Sequence, residues 1–214
     1  MEKLAVALWN YKGGVGKSTI SLILSQEGAR RGLRVLALDL DRQKNFSDAL
    51  ALSGSYFPTL DVSTELNPDV ADQPFDFYVL DLHPEMGKTE QAALRFADIV
   101  LAPMYNDFFS AANIGPVWEQ TIETGKDRQQ AAIIKNCVES SRTSLEIENA
   151  VNEEEYPTAG RIPRNGNIVR NIALGRPWWS AMNARQQKPF IELYDHIWRA
   201  YTNMLAGNLT NPWR

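Results

Sequence analysis

Five short, nearly continuous apolar runs punctuate the chain: "KLAVALWN", "LRVLALDL", "DFYVLDL", "DIVLAPM" and "AAIIKNCV". Runs of that length with no polar alternation predict strands buried on both faces of a parallel sheet. Helix-like stretches separate them at 17–31, 87–97, 110–125 and 142–151. A further short strand is expected over 156–162, then helices over 166–174 and 186–206. Alternation of strand and helix with short connections predicts one doubly wound α/β domain, its sheet mostly parallel and its helices on both faces. Residues 53–75, rich in Ser, Pro, Asp and Asn, are too few for a second domain and read as a connecting excursion. The tail "GNLTNPWR", residues 207–214, reads as frayed.

Composition removes several classes. No stretch of about 18 apolar residues exists to span a bilayer. The N-terminus enters its first strand without a basic leader, so no secretory signal is expected. A single cysteine, Cys137, excludes an intramolecular disulfide framework and fits a reducing cytoplasm. The net charge of −4 conceals an asymmetry. Residues 161–199 carry seven basic side chains against Glu192 and Asp195, a balance of +5, whereas residues 1–160 hold 14 basic and 24 acidic residues, a balance of −10. A basic C-terminal quarter on an acidic protein is either a patch for a polyanion or a set of solvated helix faces.

The chemistry concentrates in "YKGGVGKST", residues 11–19, lying between the first strand and the first helix. Strand, glycine-rich loop and helix are the context that a phosphate-binding loop requires. Gly13, Gly14 and Gly16 clear space for backbone N–H groups to converge on phosphate oxygens, and the positive end of the helix dipole adds to that field. Lys17 is placed to reach the β- and γ-phosphates, the Ser18 hydroxyl to ligate Mg²⁺, and Thr19 to approach the α-phosphate. Tyr11 stands where a strict phosphate loop begins with glycine, and Lys12 follows it as a second lysine.

With Lys12 in that place, "KGGVGKST" resembles the deviant Walker A box of the ParA/MinD family of ATPases. The resemblance implies a P-loop NTPase fold over residues 1–206, with ATP and Mg²⁺ as cofactors. It also implies a phosphate cradle of Gly13, Gly14, Val15, Gly16, Lys17, Ser18 and Thr19, and a Lys12 that crosses a homodimer to the partner's nucleotide. "LALDLDRQKNFSDAL" is similar to the family's first switch, D-x-D-x-Q-x-N. Asp39 is then expected near Mg²⁺, and Asp41 at the attacking water, where phosphoryl transfer needs positioning and charge neutralisation. "FYVLDLHPEMG" resembles the Walker B and second-switch segment, so Asp81 is expected to hold Mg²⁺ through a water and Gly87 to act as a hinge. His83 departs from the family's usual proline and reads as a harmless substitution. Asn136 is expected to read the adenine edge, and Pro163 and Arg164 of "AGRIPRNGNIV" to close over the base.

Within that family, iron–sulfur and metal-pumping branches need cysteines that this chain lacks. The mixed-charge helix "FIELYDHIWRAYTNML" suits burial against the sheet better than a membrane surface. The expectation is a small ParA-type switch. It dimerises on ATP, binds non-specific DNA in that state through Arg164, Arg170, Arg185 and Arg199, and associates with the nucleoid. A centromere-binding or cargo adaptor protein then stimulates slow hydrolysis. The alternatives are a positioning ATPase for a protein or membrane cargo and, against the evidence of Lys12, a small-molecule ligase on the same fold.

Overall fold

The computed structural model describes residues 2–138, 142–153, 156–208 and 212–213. Seven parallel strands form one sheet in the order β3-β2-β4-β1-β5-β6-β7. They are β1 (Leu4–Leu8), β2 (Val35–Asp39), β3 (Leu60–Ser63), β4 (Phe77–Asp81), β5 (Ile99–Tyr105), β6 (Ala131–Val138) and β7 (Thr158–Pro163). The helices are α1 (Lys17–Arg30), α2 (Asn45–Ser53), α3 (Lys88–Phe96), α4 (Phe108–Ala112), α5 (Ile114–Glu123), α6 (Arg142–Glu153), α7 (Gly166–Ala173) and α8 (Ala184–Leu205).

Both faces of the sheet are covered, as the unbroken apolar runs require. Along β1, Leu4, Val6 and Leu8 enter the core cluster shared with α1, α2 and α8. Ala5, Ala7 and Trp9 enter the opposite cluster, with Leu94 of α3 and Val117 of α5. The period-2 geometry of a strand thus feeds two cores from one run. After β1 the chain winds toward β2 and β3, and after β5 toward β6 and β7, so the crevice beyond the carboxyl ends of β1 and β5 is the switch point where such sheets bind ligands.

α1 packs tightly on the sheet. A Cβ on its Gly28 would stand 2.8 Å from Cδ1 of Phe77 and 3.1 Å from Cγ2 of Val35, both in buried strands. Gly28→Ala is therefore expected to cost about 1–3 kcal/mol by overpacking, despite alanine's better helix propensity. Urea unfolding would show this as a lower midpoint with an unchanged slope; an unchanged or raised midpoint would mean that the helix can move outward freely.

Four expectations need correction. The excursion over 53–75 contains β3, an edge strand pairing with β2 from Val35↔Leu60 to Leu38↔Ser63. Residues 45–53, not read as helical, form α2, which buries Phe46 and Leu50. The single helix expected over 110–125 is two, α4 and α5, meeting at Asn113. Pro116 has no N–H to give the Ala112 carbonyl and so breaks the continuity. The tail is not frayed at Trp213: its indole is buried, donates to the Gln129 carbonyl at 2.8 Å, and its carbonyl lies 2.7 Å from His196 Nε2. Residues 209–211 and 214 of that tail lie outside the described residues. α8 packs as expected, burying Phe190, Leu193, Tyr194, Ile197, Ala200 and Tyr201.

Candidate nucleotide site

The register of the sheet assembles the site. Asp39 at the end of β2 and Asp81 at the end of β4 are direct neighbours, and Leu8 at the end of β1 flanks Asp81 on its other side. The glycine-rich loop leaves β1 at that edge and turns into α1 at Gly16, which adopts φ 97°, ψ 18°. Gly13, Gly14, Gly16, Lys17, Ser18, Thr19, Asp41, His83 and Tyr105 line one cavity of about 460 Å³. Val15 is fully buried beneath the loop.

Lys17 is buried and curls back into its own loop, donating to the carbonyls of Asn10 and Lys12, both at 3.2 Å. Burial lowers its pKa, while the charges of Asp81 and Asp41 oppose that shift. These are weak, long hydrogen bonds, which a phosphate oxygen would replace with a charge-assisted one.

Asp81 is the most perturbed carboxyl of the site. Burial pushes its pKa up to about 7 and repulsion from Asp39 adds to that; hydrogen bonds from Ser18 and Ser21 and the charge of Lys17 pull the other way. Ser21 donates to its Oδ1 at 3.2 Å, and its buried Oδ2 has no partner. A buried carboxylate oxygen without a donor, beside a serine hydroxyl at a helix N-terminus, is what a hard divalent cation fits. Among the described residues no cluster of three His, Cys, Asp or Glu side chains forms a metal cage. Mg²⁺ would thus lean on Ser18, Asp81, waters and nucleotide oxygens, as this ion commonly does.

Asp39 stands beside this position with both oxygens engaged. Its Oδ1 accepts from the Asp41 N–H at 3.2 Å, and its Oδ2 accepts from the Ser47 N–H at 2.7 Å and from the Ser47 hydroxyl at 2.8 Å. It therefore anchors the loop that carries Asp41 into the cavity. Gly87 lies elsewhere: it caps α3 through Glu90 and lines a separate cleft with Arg42 and Leu66. His83 accepts from the Glu85 N–H at 3.1 Å.

Asn136 sits under the loop, buried. Its Nδ2 donates to the Val15 carbonyl at 2.9 Å, and its Oδ1 accepts from the Cys137 N–H at 2.9 Å. Pro163 and Arg164 do not line the cavity of the glycine-rich loop; with Asn165, Arg185 and Pro189 they line a separate one of about 490 Å³. All four arginines of the expected DNA surface are exposed. Only Arg164 and Arg185 share that cavity, and Arg199 lies about 21 Å along the α8 axis from Arg185. Two other basic residues of the stretch are engaged, Arg161 with Glu148 at 3.3 Å and Lys188 with Glu192 at 3.6 Å.

Lys12 does not point at its own phosphate cradle. Its Nζ lies 3.0 and 3.3 Å from the two Asp107 oxygens and 2.9 Å from Ser110 Oγ, at the first turn of α4. Burial works to raise the Asp107 pKa, but hydrogen bonds from Ser110 and Lys12 hold it below the usual carboxylate range. The sequence reading missed this partner. D-x-x-S is visible as a helix N-cap, and Asp107 does accept from the Ser110 N–H at 2.9 Å, but nothing local shows that the same carboxylate holds Lys12.

A parallel doubly wound sheet with a glycine-rich loop, one buried lysine and two buried aspartates at its switch point, one aspartate oxygen being without a hydrogen-bond partner, defines a P-loop nucleotide-binding domain. A family profile described as the CobQ/CobB/MinD/ParA nucleotide binding domain matches residues 6–178, and the chain belongs to that family. This is the ATPase family that the loop motif resembles. The chromosome-partitioning ATPase Soj of Thermus thermophilus is 27% identical over 143 residues, 51% of this chain and 57% of that protein. The chain thus spans little more than half of that relative. Two solved structures share the fold: MinD cell division protein from Aquifex aeolicus has TM-score 0.77 and 17% identity, covering 91% of this chain and 97% of that one. A putative plasmid partition protein from Borrelia burgdorferi B31, bound to AMPPNP, has TM-score 0.75 and 16% identity, covering 91% and 98%.

Proposed function

We propose that this chain is an ATP-dependent dimerising switch for the segregation of plasmid or chromosomal DNA, converting ATP and water to ADP and phosphate at the cavity described above. The observation that carries this reading is the separation of the two lysines. Lys17 lies inside the phosphate cradle of its own chain, whereas Lys12 stands on the rim with its ammonium turned away from that cradle. A lysine used only in its own site would share the cradle; one used on a second nucleotide belongs on the rim.

In this reading the backbone N–H groups around Gly16 and the Lys17 ammonium grip the phosphates, and Asp41 orients the attacking water. Ser18 and Asp81, with Asp39 behind them, would hold Mg²⁺, which when bound neutralises charge on the phosphates. The Asn136 amide and the Pro163–Arg164 segment are assigned to the base. Dimerisation doubles the exposed arginines Arg164, Arg170, Arg185 and Arg199, favouring salt-sensitive contacts with DNA phosphates and hence the nucleoid. A centromere-binding or cargo adaptor protein stimulates hydrolysis. The shared fold with both a partition protein and MinD leaves a positioning ATPase as the second reading.

The test is light scattering of wild type and Lys12→Ala with Mg²⁺ and ADP or ATP, with and without DNA. Wild type is expected to double in mass with ATP and then bind DNA in a manner that fades with salt, while Lys12→Ala stays monomeric. Equal behaviour of the two proteins would remove Lys12 from the switch. Dimers that bind liposomes and ignore DNA would move the chain to the second reading.

A further inference from the structure

We propose that His83 is a further catalytic residue, its Nε2–H donating a hydrogen bond to the terminal phosphoryl group of ATP beside the water that Asp41 orients. The inference deepens the hydrolysis assigned above: it rests on that ATP site and not on DNA binding. The register of the sheet brings the two side chains together. Asp39 and Asp81 are paired across β2 and β4. The ladder runs one residue further, with Leu40 N–H donating to the Asp81 carbonyl at 2.9 Å and Leu82 N–H to the Leu8 carbonyl at 3.2 Å. Two residues beyond the paired aspartates, Asp41 and His83 emerge from strand ends about 4.8 Å apart. Both line the cavity that holds Gly13, Gly14, Gly16 and Lys17.

Each of the two side chains is anchored at one end and open at the other. Asp41 Oδ1 accepts from the Gln43 N–H at 2.9 Å, and His83 Nδ1 accepts from the Glu85 N–H at 3.1 Å. A backbone N–H can only donate, so Nδ1 carries no proton and the neutral ring keeps its proton on Nε2. Nε2 has no hydrogen-bond partner among the described residues. Pro84 confines the His83 backbone to extended shapes, so the ring is set before nucleotide arrives. The cavity therefore presents an acceptor and a donor from neighbouring strand ends. The acceptor suits water, and the donor suits a phosphoryl oxygen. The phosphoryl group beside the water of Asp41 is the terminal one, because that is the group water attacks. In that step the water oxygen bonds to the terminal phosphorus as the bridging P–O bond breaks. ADP leaves with the electron pair of that bond, phosphate keeps one water proton, and the other is released to solvent. His83 keeps its own proton throughout. Proline, the family's usual residue here, has no donor to offer, so the substitution adds a contact instead of being harmless.

The experiment compares wild type, His83→Asn and His83→Gln in three measurements on the full chain. Two are affinities for Mg²⁺-ADP and Mg²⁺-AMPPNP at protein concentrations below dimerisation, and the third is turnover of saturating ATP. Asparagine keeps an acceptor for the Glu85 N–H but has nothing that reaches the place of Nε2, whereas glutamine extends an amide donor toward it. The asparagine variant is expected to bind ADP as wild type does and AMPPNP about tenfold more weakly, the value of one hydrogen bond to a charged group. Its turnover is expected to fall by at least about tenfold, as loss of a donor to a developing charge does. The glutamine variant is expected to recover part of both losses. A purely structural role would lower the ADP and AMPPNP affinities together, and that result overturns the inference. An asparagine variant that matches wild type in all three measurements also overturns it and leaves the ATP site standing. A wild type that binds neither nucleotide overturns the site and the inference alike.

Discussion

Gly16→Ala is expected to abolish useful ATP binding and to destabilise the free protein as well. Gly16 caps α1 in the left-handed region, at φ 97° and ψ 18°. A Cβ built there would stand 2.2 Å from Nδ2 of Asn136 and 3.4 Å from its Cγ. That amide cannot swing aside cheaply, because it is buried, donates to the Val15 carbonyl, and accepts from the Cys137 N–H. Left-handed backbone costs a residue with a side chain about 1 kcal/mol. Breaking the buried amide's hydrogen bonds adds about 1–3 kcal/mol. A total on the order of 2–4 kcal/mol is expected in denaturant unfolding. The functional loss is larger, since the N–H groups at the start of α1 point at phosphate only while the loop keeps this shape; affinity for a fluorescent ATP analogue should fall by about a hundredfold or more. Asn136→Ala placed on top of Gly16→Ala removes the clash but not the backbone strain, so it should restore part of the stability and little of the binding. Gly16→Ala with wild-type affinity would show that the loop reshapes itself around nucleotide and that its resting form is irrelevant.

Much of this was legible in the sequence because it is local. The central strands announce themselves as unbroken apolar runs, since both faces of each are buried, Leu4, Val6 and Leu8 on one side and Ala5, Ala7 and Trp9 on the other. The phosphate loop is likewise contained in nine consecutive residues. The edge strand β3 was not legible, because an edge position leaves Asp61 and Val62 exposed and removes the continuous run. Contacts made across the sheet were hidden for a different reason. Lys12 and Asp107 are 95 residues apart and Asn136 and Val15 are 121 apart. They meet only because β1 lies beside β5 and β5 beside β6, an order that periodicity does not specify. The sequence therefore pointed to the residues of the glycine-rich loop but not to those that hold Lys12 in the single chain.

Asp81→Asn is expected to make the nucleotide-free protein more stable at pH 8 while removing its response to Mg²⁺-ATP. The carboxyl is buried, one of its oxygens has no partner, and its pKa is pushed up to about 7 by burial first and by Asp39 second. In the unfolded chain the same group titrates near its ordinary value of 3.8. Between about pH 4 and pH 7 the folded protein therefore holds more protons than the unfolded one, so its stability falls as pH rises through that window and levels off above it. A shift of this size corresponds to a penalty on the order of 4 kcal/mol. Asparagine keeps an acceptor for Ser21 and carries no charge, so at pH 8 its melting temperature should exceed that of wild type by roughly 5–10 °C, with the two converging near pH 4. Adding Mg²⁺-ATP should reverse the order: a cation bound at the free Asp81 oxygen stabilises wild type by mass action and has no carboxylate to grip in the variant. A difference that is the same at pH 4 and pH 8 would mean that asparagine acts through packing. A variant less stable than wild type at pH 8 without nucleotide would mean that Lys17 already neutralises Asp81, and that the carboxylate is held ready by an ion pair instead of waiting, strained, for its metal.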